Sequence, residues 1–283
     1  MCILSRAQDL QQARDAFQAR DAAKVIEIAQ RGLEHGESAE LHNLLGKAYA
    51  MSGQPDKVLP ELNSAIRLQP DNEGFRFDLA QFLLNRQDFG VAITVLENAQ
   101  KRLPHSAQIQ LALGVAYYGQ VRYDDAVRAF LKTIDLAPDL PQPYRFLGEM
   151  LEHARSHLQE ILTKCAAVER SDPLNPYAPL LRAKALMAQL GMAEWDDNAR
   201  EAARLLEKAI TLKGDSADAY FALGCLMDRK KDYPRAAELL EKSIQLKADD
   251  SVAHYRLARV YLQLGKKEKA AAEFALHARL TSR

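Results

Sequence analysis

The apolar positions of this chain recur with helical spacing, and the pattern itself repeats every 34 residues. A leucine followed by glycine or alanine stands at 45–46, 79–80, 113–114 and 147–148, and again at 223–224 and 257–258. Each small residue is followed three positions later by a large one: Tyr49, Leu83, Tyr117, Leu151, Met227 and Tyr261. Because residues three apart share one face of a helix, the pattern predicts the first helix of a repeated unit.

A second helix is predicted in each unit, after a turn rich in Gly, Asp and Lys. It pairs a small residue with a large apolar residue four positions later, as in Ala92 and Leu96, Ala126 and Phe130, Ala236 and Leu240, and Ala270 and Phe274. Prolines at 70, 104 and 138, again 34 apart, follow these stretches. Proline cannot continue the helical hydrogen-bond ladder, so it is typical of a position just beyond a helix end.

A 34-residue helix–turn–helix with these residues at fixed positions resembles the tetratricopeptide repeat (TPR) family. Residues 107–140 match its pattern best, through Leu113, Gly114, Tyr117, Ala126, Phe130 and Pro138. The resemblance implies an all-α fold, a right-handed α-solenoid in which antiparallel helix pairs stack into a superhelix.

The repeat phase predicts a TPR array of about seven units over residues 39–283. The units are assigned to 39–72, 73–106, 107–140, 141–175, 176–216, 217–250 and 251–283. Residues 1–38 lack the Leu-Gly pair and are predicted to be a degenerate N-terminal helix pair that caps the array. The unit at 176–216 is irregular, and its extra length is placed at 191–198, around the single tryptophan, Trp195.

Composition argues against several classes of partner and compartment. Lys plus Arg and Asp plus Glu both total 38, so the formal net charge is zero. Nucleic-acid binders usually carry a basic excess, so neither nucleic acid nor an anionic membrane is expected as a partner. No apolar run is long enough for a membrane span. The three cysteines, Cys2, Cys165 and Cys225, have no metal or redox spacing and favour a reducing compartment. The cytoplasm is therefore favoured, with a periplasmic or secreted chain that has lost its leader as the alternative.

Motifs that carry chemistry are absent from the sequence, so we expect no enzyme activity and no cofactor or metal. Neither a glycine-rich phosphate loop nor a G-x-S-x-G turn occurs. Glu149, His153 and His157 have a spacing that could align three metal ligands on one helix. The alternative is a solvated helix end, which is favoured because the repeat places a turn near residues 155–156. Cys165 falls at an apolar position of a second helix and is expected to be a buried hydrophobic residue.

The resemblance also implies a binding surface, because first helices of TPR arrays line a concave groove that holds peptides or protein segments. Carried over by repeat position, the candidate groove residues are Asn43, Lys47, Phe77, Gln81, Leu84, Leu111, Val115, Tyr118, Arg145, Glu149, Phe221, Tyr255 and Arg259. Residues from Phe77 to Tyr118 would form a mostly apolar strip, unless Phe77 and Leu111 serve in helix packing. The carboxylate clamp of chaperone-tail binders is missing, since Asp78 stands where a donor is needed.

The sequence thus predicts a non-enzymatic scaffold or adaptor that holds a protein or peptide segment in its groove. Two alternatives remain open at this point. The array could be a regulatory or substrate-presenting module of an enzyme, for example a transferase, or an assembly factor of an envelope or secretion complex. The oligomeric state is left open.

Overall fold

A computed structural model describes residues 2–190 and 195–282, and every regular element in these two ranges is helical. The chain divides into two compact units, residues 1–136 and 137–283. The first unit contains α1 Cys2–Gln18, α2 Ala22–Glu34, α3 Ala39–Met51, α4 Pro55–Leu68, α5 Glu73–Asn85, α6 Phe89–Arg102, α7 Ala107–Gly119 and α8 Tyr123–Leu136. The second contains α9 Pro141–Glu149, α10 Leu158–Ser171, α11 Tyr177–Ala188, α12 Asp197–Leu212, α13 Ala217–Arg229, α14 Tyr233–Leu246, α15 Ser251–Gln263 and α16 Lys267–Thr281.

Within each unit the helices pack as successive pairs. In the first unit, α1 packs on α2, α3 on α4, α5 on α6 and α7 on α8, and each second helix also contacts the first helix of the next pair. The second unit repeats this arrangement for α11 with α12, α13 with α14 and α15 with α16. The predicted all-α fold of stacked helix pairs is therefore confirmed.

The recurring glycine of the first helices allows the two helices of a pair to approach closely. A Cβ atom on Gly46 would lie 2.8 Å from Leu62 Cδ2, and one on Gly224 would lie 2.9 Å from Leu240 Cγ. Real Cβ atoms essentially never come this close to another heavy atom. The large residue of the second helix therefore occupies the space that a side chain at this position would need.

One residue of each regular inter-helix turn adopts the left-handed backbone conformation. Gly53, Gln87 and Val121 in the first unit have φ between +61° and +71°, and Lys231 and Gly265 do the same in the second. These positions are again 34 residues apart within each unit. Val121 is the unfavourable member, because a β-branched side chain crowds the backbone in this region.

We therefore expect Val121→Gly to raise the free energy of unfolding by about 1 kcal/mol, since glycine adopts positive φ without steric cost. Val121 is 66% exposed, so little packing is lost. Urea unfolding followed by far-UV circular dichroism measures the change. Gly53→Val is the matched control, because an added Cβ there meets no atom within 4 Å. It should lower stability through the backbone alone, and equal midpoints for all three proteins would contradict the argument.

The pair that begins with α9 departs from the repeat. Helix α9 ends at Glu149, turns follow, a short 3-10 helix covers Arg155–His157, and α10 starts at Leu158. Helix α9 packs mainly on α11. Because Glu149 and His157 lie on different elements, the alignment of three metal ligands along one helix does not form. No group of three His, Cys, Asp or Glu side chains in the two described ranges is arranged to hold a metal ion.

The irregular unit lies partly outside the described residues, since these leave out 191–194 of the predicted insertion. Trp195 is half-buried, and the Lys230 ammonium lies 5.1 Å from the centre of its ring. Over the parts of the chain that the structure covers, each helix is too short or too polar to cross a bilayer.

Candidate functional site

Two of the predicted groove residues in the first unit contact a neighbouring first helix. Asn43 on α3 is 7% exposed, and its Nδ2 donates a hydrogen bond of 2.7 Å to Asp78 Oδ2 on α5. Lys47 Nζ lies 3.1 Å from both oxygens of the same carboxylate and 5.1 Å from the ring centre of Phe17. These contacts join α3 to α5 and balance the charge of Asp78. The side-chain N–H groups of Asn43 and the ammonium of Lys47 therefore already have a partner inside the unit.

The predicted apolar strip lies on α5 and α7, two first helices that contact each other. Phe77 and Leu84 are half-buried and pack against the core of the first unit. Leu111, Val115 and Tyr118 are also half-buried, and the Tyr118 ring lies 5.9 Å from that of Tyr123. Gln81, on the same helix as Phe77, is exposed. Each strip residue thus packs inward with part of its surface and leaves the rest exposed to solvent.

In the second unit the predicted residues lie at three places. Arg145 and Glu149 on α9 are exposed and form a loose ion pair of 3.8 Å. Phe221 on α13 is half-buried against the core, and Arg259 on α15 is exposed. Tyr255 is 40% exposed, and its ring contacts those of Phe274 and His277 on α16, with centres 5.8 and 5.3 Å away.

A pocket of about 210 Å³ opens in the second unit between the beginnings of α9, α11 and α13. Its walls are apolar and are formed mainly by Tyr144, Tyr177, Leu180 and Leu181, and the two tyrosine rings lie 5.8 Å apart. Of the predicted groove residues, Arg145 lines this pocket. One predicted groove residue, Arg145, therefore belongs to a formed pocket with aromatic walls.

The rim of this pocket is basic. Arg145, Lys184 and Lys213 line it together with one acid, Asp218. Lys184 Nζ forms an ion pair of 2.9 Å with Asp218, and Lys213 Nζ lies 5.4 Å from the centre of the Tyr177 ring. Burial alone would raise the pKa of Asp218, but nearby cations, Lys184 first among them, hold this pKa below its usual value. Asp218 is therefore charged at neutral pH, and the rim still has more positive than negative groups.

Asn175 fixes the two tyrosines of this pocket in place. It is 2% exposed, and its Oδ1 accepts hydrogen bonds of 3.0 Å from the backbone N–H groups of Tyr177 and Ala178. Its Nδ2 donates a bond of 2.7 Å to the carbonyl of Pro138, which also accepts a bond of 2.8 Å from the Tyr144 hydroxyl. One buried amide thus caps the start of α11 and attaches it to the segment that precedes α9.

Sequence reasoning did not select Asn175 or the pocket tyrosines, although a signal was present. Asn175 stands directly before Pro176 and an apolar helical stretch, and Asn followed by Pro is typical of a helix start. The Leu-Gly pair is missing from the following predicted unit, 176–216, so the repeat phase alone did not locate α11.

The two cysteine thiols that the structure describes have raised pKa values. Cys165 is fully buried, as predicted, and burial raises its pKa to about 12. Burial likewise raises the pKa of Cys225 to about 11. Because the thiolate is the reactive form, burial disfavours the nucleophilic form of both residues.

Comparisons with known proteins place these features in one family. A tetratricopeptide repeat model matches residues 77–141 and 196–251, and a second tetratricopeptide repeat model matches 229–279. Among the curated proteins, DnaJ homolog subfamily C member 3 of Gallus gallus is 23% identical over 166 residues, which cover 53% of this chain. The match spans 33% of that relative, so the chain corresponds to about a third of its length.

Several solved structures have a similar fold. Yeast Tom70 has a TM-score of 0.58 at 20% identity, with 92% of this chain and 55% of Tom70 covered. The Cut9–Hcn1 hetero-tetramer of the APC/C has a TM-score of 0.58 at 16% identity, over 93% of this chain and 50% of the matched one. A tetratricopeptide repeat protein of Parabacteroides merdae has a TM-score of 0.56 at 16% identity, over 91% and 99% of the two chains. The matched family segments, the helix pairs and these structures agree, and the chain belongs to the tetratricopeptide repeat family.

Proposed function

We propose that this chain is a non-enzymatic scaffold that holds a protein or peptide segment on the surface formed by its first helices. Membership of the family supports a role in protein interaction in general. The proposal goes further in two respects. The partner binds to the exposed part of the first helices, and it is an extended or helical segment of another protein.

The observation that carries this proposal is the partial exposure of large apolar side chains on adjoining first helices. Leu111, Val115 and Tyr118 on α7, and Leu84 on α5, are neither fully buried nor fully exposed. Residues between them, such as Leu113, are completely enclosed in the core. Apolar surface of this kind, grouped on one side of a helix layer, commonly marks an interaction site.

Two alternative functions, a regulatory module of an enzyme and an assembly factor, would use the same binding surface for a different partner. A regulatory module of an enzyme would bind its catalytic partner there, and an assembly factor would bind a component of a larger complex. The two alternatives therefore predict different captured partners, but they predict capture at the same surface.

Site-specific photocrosslinking tests the place of binding. A photoreactive phenylalanine analogue is introduced at Val115 or Leu84, and separately at Leu59 on α4 or Val91 on α6. The last two are apolar residues of second helices with 37% and 55% exposure and serve as matched controls. In cells that express the full chain, we expect a discrete adduct from the first-helix positions and none from the controls.

The adduct should also disappear when Phe77→Ala is combined with Tyr118→Ala, provided that far-UV circular dichroism shows unchanged helicity. Adducts that form at the second-helix positions, or that survive the double substitution, would place the partner elsewhere and contradict the proposal.

A further inference from the structure

We propose that the pocket between α9, α11 and α13 receives one large apolar side chain of a partner segment that carries acidic residues beside it. This rests on the proposed function and deepens it, because it names a second contact point and the chemistry of what binds there. It concerns the second unit alone.

The size and lining of the pocket suit a single apolar anchor. Apolar cavities of about 150 Å³ take up a benzene ring, so a volume of about 210 Å³ accommodates an aromatic or branched aliphatic side chain. The half-buried Tyr177 and Leu180 offer apolar surface, and Tyr144 and Leu181, which are 4% and 1% exposed, complete the wall behind them. Burying an apolar side chain in such a pocket is the usual way in which one residue dominates a protein interface.

The charges of the rim select the residues beside the anchor. Three cations and one carboxylate line the pocket, and the carboxylate of Asp218 is already paired with Lys184. Arg145 has a side chain that is 60% exposed; it forms a loose pair with Glu149 and lies 5.1 Å from the centre of the Phe146 ring. Lys213 is exposed beside the Tyr177 ring. Arg145 and Lys213 can therefore bind carboxylates of a partner without breaking a close ion pair.

This local basic surface exists although the whole chain is electrically neutral. A basic partner segment would be repelled at the rim, and a neutral one would leave Arg145 and Lys213 without new partners. Charge complementarity therefore favours an acidic segment over the other two.

The pocket is also held in a defined shape, which lowers the entropic cost of binding. Asn175 and the Tyr144 hydroxyl share the Pro138 carbonyl, so the two aromatic walls are fixed to the same backbone atom. A preformed pocket loses little conformational freedom when a side chain enters it.

A selection from a random peptide library with the full chain as bait tests the proposal. We expect enriched peptides to combine one aromatic or large aliphatic residue with neighbouring Asp or Glu. The affinity of an enriched, fluorescently labelled peptide is then measured by anisotropy with variants of the full chain. Arg145→Glu combined with Lys213→Glu, and separately Tyr177→Ala, should each weaken binding by about tenfold or more.

The matched control reverses two exposed cations outside the pocket, Arg170→Glu on α10 with Lys242→Glu on α14. It changes the net charge equally and should leave affinity within about twofold, since distant exposed charges are screened by salt. The charge-reversed pocket variant should also regain affinity for a peptide in which lysines replace the acids. Rescue of this kind cannot come from a variant that has simply unfolded.

The outcomes separate this proposal from the proposed function. Enriched peptides that are basic, or whose binding is unaffected by the pocket variants, would overturn the pocket proposal and leave the first-helix surface standing. If no peptide is enriched and the photocrosslinking experiment also gives no first-helix adduct, both proposals are wrong.

Discussion

Replacing Gly114 with alanine is expected to lower the free energy of unfolding by about 2–3 kcal/mol, even though alanine is the better helix former. The added Cβ would lie 2.6 and 2.9 Å from Cδ1 and Cζ of Phe130, with Cε1 nearer still. Phe130 is completely buried, so its rigid ring has no space into which it can move. The overlap must therefore push α7 away from α8 or force the ring off its rotamer.

Gly148→Ala provides the matched control, because Gly148 occupies the same repeat position on α9. An added Cβ there would meet Lys184 Cδ at 3.4 Å, which is an ordinary contact with a flexible side chain. Its main effect is the removal of a helical glycine, so stability should rise by about 0.5 kcal/mol. Urea unfolding by circular dichroism compares the two variants, and a Gly114→Ala midpoint at or above that of wild type would show that the close approach is not limiting.

This pair of glycines also shows what the sequence could and could not predict. The 34-residue phase of Leu-Gly, Tyr, Ala and Phe predicted the helix pairs and most of their buried positions, because helix packing depends on residue size at fixed spacing. It treated Gly114 and Gly148 alike. The difference arises because α9 ends at Glu149 and packs mainly on α11, so no large residue of a paired second helix faces Gly148.

The candidate site was predictable to a smaller degree. The repeat positions pointed to Asn43 and Lys47 as groove residues, but they did not show that Asp78, on the next first helix, α5, binds both of them. The sequence indicates through Asp78 that a carboxylate clamp is missing, and the structure adds that this residue links α3 to α5. Contacts between repeats depend on pairs of residues more than 30 positions apart, and a single repeat pattern does not specify such pairs.

The pocket in the second unit was missed for a related reason. Tyr177 and Leu181 come from the predicted unit 176–216, in which the Leu-Gly pair is absent, so the repeat phase could not place them. Tyr144 lies in the preceding unit but does not occupy one of the repeat positions that were carried over to the groove. The residue that fixes them, Asn175, acts through backbone groups of α11 and through the carbonyl of Pro138. Such a role depends on geometry that brings residues 138 and 175 together, and this geometry exists only once the helices have packed.

Asn175→Ala is expected to have the other large effect, a loss of about 3 kcal/mol in the free energy of unfolding. Removing a helix cap costs about 1 kcal/mol. This cap is buried and serves the N–H groups of both Tyr177 and Ala178, so its loss should cost nearer the upper end of the usual range, about 2 kcal/mol. The Pro138 carbonyl keeps its bond from the Tyr144 hydroxyl but loses the one from Asn175, which adds about 1 kcal/mol. Asn72→Ala is the matched control, because Asn72 caps α5 at a half-buried position and donates its amide N–H to the nearby Gln69. It should cost about 1 kcal/mol.

Asn175→Asp separates the two roles of this side chain. The carboxylate keeps an acceptor for the N–H groups of Tyr177 and Ala178, but it replaces the donor that faces the Pro138 carbonyl with an oxygen that is repelled by it. The cap should therefore survive while the attachment to the segment before α9 is lost. Since the Tyr144 hydroxyl binds the same carbonyl, we expect Asn175→Asp to loosen the walls of the pocket and to weaken binding of the selected acidic peptide. Urea unfolding and peptide anisotropy on the same preparations test this, and an Asp variant that matches wild type in both would show that the bond to Pro138 does not hold the pocket together.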